Sequence, residues 1–106
     1  MGAMTPHAHV PRSKRALILV DFINPLDFRG AEKLAPMALR AARATARLRQ
    51  RLDAQRVAVI YCNDNYGIWQ SDFRSLVHDC MQRDDTSGEI ARLLEPRPTD
   101  LTLLKP

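Results

Sequence analysis

Two unbroken apolar runs set the frame of this chain. The first, Ala16-Leu17-Ile18-Leu19-Val20, stops abruptly at Asp21; the second is Val57-Ala58-Val59-Ile60-Tyr61. A run without polar alternation reads as a strand buried on both faces, as in parallel sheets. Between them, Asn24-Pro25 and Gly30 mark a loop. From Ala31 to about Ala54, Leu34, Met37, Ala38, Ala41, Thr45, Leu48 and Leu52 recur at helical spacing. That stripe predicts an amphipathic helix packed on the sheet, with Pro36 accepted in its first turn. Strand, helix and strand at this spacing form a right-handed βαβ unit.

The pattern beyond Tyr61 is shorter-ranged. Cys62 to Gln70 reads as a loop, and a helix follows from about Ser71 to Arg83. Thr86-Ser87-Gly88-Glu89 has the Thr-x-x-Glu spacing of a capping box, opening a short helix through Leu94 that Pro96 and Pro98 stop. Leu101 to Leu104 predicts a third strand. Residues 1–14 carry Pro6, Pro11, His7 and His9 without periodicity and read as a disordered or tag-derived segment. Residues 15–106 then form one α/β domain. Because parallel sheets are covered on both faces, the expected architecture is a three-layer, Rossmann-like sheet with helices on both sides.

Composition narrows the function classes. The chain has 106 residues, 45% hydrophobic and 26% charged, which suits a soluble globular domain. The net charge of +4 raises nucleic-acid binding, but Arg40, Arg43, Arg47 and Arg51 share one helix face without interleaved aromatics. They read as a solvated face, so no nucleic-acid partner is expected. No apolar run reaches membrane-spanning length and no long apolar leader opens the chain. No membrane association is expected, and the location expected is the cytoplasm. Cys62 and Cys80 are too few for a disulfide framework or a zinc site. Both read as packing residues, and His78 as a surface or satisfied histidine.

Ligands of open parallel sheets bind outside the carboxyl ends of the strands. That rule selects Asp21 to Phe28, Cys62 to Trp69, and Lys105. A carboxylate and an amine at the mouth of a dry sheet perturb one another and can handle protons. Asp21 alone is equally suited to capping the following loop. No G-x-G-x-x-G follows the first strand, which speaks against a dinucleotide. Phe22, Phe28, Tyr66 and Trp69 near these ends suit a small organic ligand instead.

These residues also resemble a known family. Ala16-Leu17-Ile18-Leu19-Val20-Asp21-Phe22-Ile23-Asn24 is similar to the opening strand and catalytic Asp of the isochorismatase-like cysteine hydrolases. Val59-Ile60-Tyr61-Cys62-Asn63-Asp64-Asn65-Tyr66-Gly67-Ile68-Trp69, continued by Ser71-Asp72-Phe73, resembles the second strand and loop of one uncharacterised branch. Asp100-Leu101-Thr102-Leu103-Leu104-Lys105-Pro106 resembles the third strand and its catalytic Lys. The resemblance runs from Ala16 to Pro106 and implies that the chain supplies the first three strands of such a hydrolase domain.

The resemblance implies roles. Asp21 is the general base for a cysteine thiol, and Lys105 keeps that Asp ionised and favours the thiolate. The thiolate attacks a small amide or imide, and water hydrolyses the thioester. Isochorismatases proper instead protonate a vinyl ether without a cysteine. Phe22, Asn24, Phe28, Asn63, Asn65 and Trp69 are expected to line the substrate pocket. No cofactor is expected. The family cysteine follows a fourth strand that these residues do not include, so the domain is expected to be incomplete at its C-terminus and inactive alone. Asn24-Pro25-Leu26 replaces the family's Asn-Asp-Phe, which alters the pocket wall. Asp64-Asn65-Tyr66 lacks the histidine of the nicotinamidase Asp-x-His, so no metal is expected. A homo-oligomer is expected. The alternative is a non-catalytic module that associates through the surface its missing half leaves open.

Overall fold

The computed structural model describes residues 12–65 and 72–105. Six elements follow in order: β1 (Ala16–Val20), α1 (Ala31–Asp53), β2 (Ala58–Asp64), α2 (Phe73–Met81), α3 (Thr86–Leu93) and β3 (Leu101–Lys105). The strands form one sheet in the order β1-β2-β3, with both pairs parallel. The two apolar runs are therefore neighbours, joined through α1 as the βαβ reading requires. β2 runs past the expected end at Tyr61 because Cys62, Asn63 and Asp64 pair with Leu103, Leu104 and Lys105. The same pairing keeps Lys105 inside β3 rather than after it. Ser71 and the remainder of the expected loop, from Tyr66, lie outside the described residues.

Register decides which side chains share a face. Leu19, Tyr61 and Thr102 align across the sheet, and Val20, Cys62 and Leu103 align one step on, on the opposite face. Leu19, Val59 and Tyr61 are buried in one core with Ala42 of α1, Phe73, Leu76, Val77 and Cys80 of α2, and Ile90 and Ala91 of α3. Among the described residues the helices thus cover one face. On the other, Ile18 and Val20 are each 56% exposed.

The helix α1 forms where expected, but its packing face is rotated from the expected stripe, of which only Ala38, Thr45 and Leu52 are half-buried. Ala31 and Ala42 are buried, with Ala38, Leu39 and Ala46 packed against the core. Leu34, Met37 and Leu48 are exposed. The physical reason is close packing: α1 lies against α3, whose Gly88 and Ala91 are buried, and small residues let two helices approach. Its first turn starts from Gly30 at φ 89°, a left-handed position that glycine adopts without steric cost.

The short helices are started by aspartates. The Asp72 carboxylate accepts from the Ser75 amide at 2.8 Å. Asp85 accepts from the Gly88 amide at 3.1 Å and from the Ser87 hydroxyl. Asp85, not Thr86, is therefore the cap of α3, and the expected capping box does not form. Thr86 is the first helical residue, and Glu89 reaches across to Arg43 at 2.9 Å. Asp85 outcompetes Thr86 because its carboxylate serves the same orphan amides one residue earlier.

Candidate active site

The carboxyl ends of β1, β2 and β3 meet around Asp21. The Lys105 Nζ lies 2.9 Å from the Asp21 carboxylate, 84 residues away in sequence. Asp21 Oδ1 also accepts from the Asp64 amide at 2.8 Å, while the Asp21 amide donates to the Cys62 carbonyl at 3.0 Å. The carboxylate is thus fixed from two strands at once. Asp21 sits at φ 57°, a left-handed conformation that costs a non-glycine residue about 1–3 kcal/mol and persists only where its surroundings impose it.

The electrostatics follow from this geometry. The hydrogen bond to Asp21 holds the Lys105 ammonium above the usual lysine range. Desolvation opposes this, and the nearby Asp21, Cys62 and Asp64 groups add to it. The two side chains are 39% and 42% exposed, and an ion pair so open to water contributes little to stability. Its value lies in what it can do: place a carboxylate beside an ammonium at a site open to solvent.

The structure brings some expected site residues together and separates others. Asp21, Lys105 and Asp64 converge. Asn63 is buried, and its side chain is turned onto the loop after Asp21: Oδ1 accepts from the Ile23 amide at 3.2 Å and Nδ2 donates to the Ile23 carbonyl at 2.9 Å. Asn24 is half-buried and accepts from the Leu26 amide at 2.9 Å, closing a local turn in which Leu26 takes φ 54°. Phe22 packs against the core, and Phe28 is exposed. The Asn65 amide donates to Asp64 Oδ1 at 2.9 Å. Trp69 and Tyr66 lie outside the described residues, as do His7 and His9.

Sequence reasoning missed the Asp64 amide as a partner of Asp21. Its signal is strand register, which no local motif encodes. Neither described cysteine is in a disulfide: Cys62 is half-buried, and Cys80 is buried, where burial pushes its thiol up. Among the described residues, no group of three or more His, Cys, Asp or Glu side chains could hold a metal ion. No described helix is long and apolar enough to cross a membrane.

A parallel α/β sheet with a carboxylate and an ammonium paired across its strand ends defines the class of this chain. No family model matches it, and no solved structure does. Over 95 residues it is 30% identical to YaaI, an uncharacterized isochorismatase family protein of Bacillus subtilis (strain 168). The match covers 90% of this chain and 51% of that protein, so the chain spans about half the length of the curated relative. The match makes the chain similar to one isochorismatase family protein over about half of that protein's length.

Proposed function

We propose that Asp21 and Lys105 form the acid–base part of a hydrolase site that acts on small amide or imide substrates. The observation that carries this reading is the 2.9 Å contact between them at the carboxyl ends of β1 and β3, and its support is the similarity to an isochorismatase family protein. Asp21 takes the proton of a cysteine thiol supplied from outside these residues. The thiolate adds to the substrate carbonyl, the C–N bond breaks, and the nitrogen leaves with a proton. Water then cleaves the thioester, returning the thiol. Lys105 pairs with the Asp21 carboxylate before the transfer and offsets charge as the thiolate forms.

The test uses the full-length protein and measures carboxylate formation from a panel of small amides and imides. Asp21→Asn keeps shape and removes the base. It is expected to lower turnover about 100-fold or more, with an unchanged far-UV circular dichroism spectrum. Retention of most activity overturns the assignment.

A second reading, a non-catalytic module that associates with a partner or a second copy, is favoured by one observation: the exposure of Ile18 and Val20 on the open sheet face. Under it, Val20→Lys in the full-length protein abolishes self-association by light scattering, and no substrate on the panel is turned over.

A further inference from the structure

Asn63 is 1% exposed, and its side-chain amide is matched against a single backbone unit. It accepts from the Ile23 amide and donates to the Ile23 carbonyl, at 3.2 and 2.9 Å, with a third bond to the Asp64 carbonyl at 3.0 Å. A primary amide that satisfies both the N–H and the C=O of one residue replaces the two bonds of a strand ladder. It does so just where the ladder between β1 and β2 ends. Ladder pairing stops at Val20 and Cys62, and the chain turns at Asp21 into the left-handed region.

Three consecutive residues of β2 therefore grip the segment from Asp21 to Ile23. Cys62 holds the Asp21 amide, Asp64 meets the Asp21 carboxylate, and Asn63 locks Ile23. Of the three, Asn63 acts on the loop through its side chain, and it alone fixes the chain on the far side of Asp21. Without it, the left-handed turn loses its downstream anchor and relaxes toward ordinary backbone angles. That relaxation swings the carboxylate away from Lys105.

We propose that Asn63 is a positioning residue for the Asp21–Lys105 pair, holding the turn that delivers the Asp21 carboxylate to the Lys105 ammonium. The proposal rests on the reading of these two residues as an acid–base pair. Asn63 touches neither reacting group with its side chain. It acts through the backbone of Ile23, two residues from the carboxylate.

The test is the titration of Lys105 followed by NMR of its labelled side chain in the full-length protein, which needs no substrate. Among the described residues, Asp21, Cys62 and Asp64 are the titratable groups acting on the ammonium, and Asp21 is its hydrogen-bond partner. Asp21→Asn sets the reference: it lowers the Lys105 midpoint. Asn63→Leu keeps the buried volume and removes the amide, and is expected to reproduce at least half of that downward shift. Should the leucine variant fail to fold, Asn63→Gln, which displaces the amide by one methylene, is expected to move the midpoint in the same direction. A merely structural Asn63 lowers the unfolding midpoint and leaves Lys105 unmoved, which overturns the proposal. No shift in Asp21→Asn itself overturns the pair, and the positioning role with it. A shift in Asp21→Asn without loss of turnover removes the hydrolase reading of Asp21 alone.

Discussion

The Tyr61 hydroxyl donates a hydrogen bond to the Leu94 carbonyl at 2.8 Å, joining the middle strand to the end of α3. Arg49 of α1 donates to the same hydroxyl and to the carbonyls of Leu93 and Glu95. One phenol thus gathers the sheet and two helices, and α3 ends on side-chain donors where its last carbonyls lack intrahelical partners.

Tyr61→Phe is expected to destabilise the protein by about 1–3 kcal/mol, because the buried Leu94 carbonyl loses its donor. Urea unfolding measures it. Burial pushes the Tyr61 phenol from 10.0 up to about 12, against the opposing charge of Arg49. The native state therefore retains a proton that the unfolded chain has lost in this window. This contribution to stability is complete below pH 10 and is lost as pH rises toward 12. Ultraviolet titration should place the ionisation of Tyr61 well above that of an ordinary tyrosine, or make it coincide with alkaline unfolding.

Asp85→Ala removes the cap of α3 and should cost about 1 kcal/mol at neutral pH. The Ser87 hydroxyl, first, and then the Gly88 amide and Arg83 hold the Asp85 carboxyl below its usual range. A depressed carboxyl contributes stability above its unfolded value and loses it as pH falls through the folded one. Wild type and variant should therefore converge in urea midpoint under acid conditions. A constant gap at all pH values contradicts the capping role.

Gly88→Ala should be among the most damaging single-atom additions. A Cβ at this position would lie 1.9 Å from the Arg83 carbonyl oxygen and 2.9 Å from its carbon. Backbone atoms cannot step aside as a side chain can, so the loop before α3 or the helix itself has to shift. The expected cost is about 3 kcal/mol or more, read as a fall in thermal midpoint. A change below about 0.5 kcal/mol contradicts the close approach.

The rotated face of α1 makes a paired prediction. Met37→Lys falls on an exposed position and should change stability by no more than about 0.5 kcal/mol. Ala42→Leu falls on a fully buried one and should cost about 1–3 kcal/mol by overpacking. Equal effects in chemical denaturation would restore the leucine and methionine stripe as the packing face.

What the sequence determined by itself was local. The unbroken runs around Leu19 and Val59 specify buried strands, because alternation is absent and the residues favour extended backbone. Their parallel pairing follows from the helix between them. Asp21 and Lys105 were legible as strand-end groups for the same reason. Tertiary structure decided what local rules leave degenerate. On α1, two stripes satisfy helical spacing, and close approach to α3 selected the alanines over Leu34 and Met37. Before α3, Asp85 and Thr86 both match a cap, and hydrogen-bond geometry selected Asp85. Asn63 could have faced the pocket or the loop, since a strand's side chains alternate and register sets the sense. Pairing with Leu104 turned it inward onto Ile23. The meeting of Asp21 with Lys105 depends on the whole sheet, because only the register of three strands brings groups 84 residues apart within hydrogen-bonding distance.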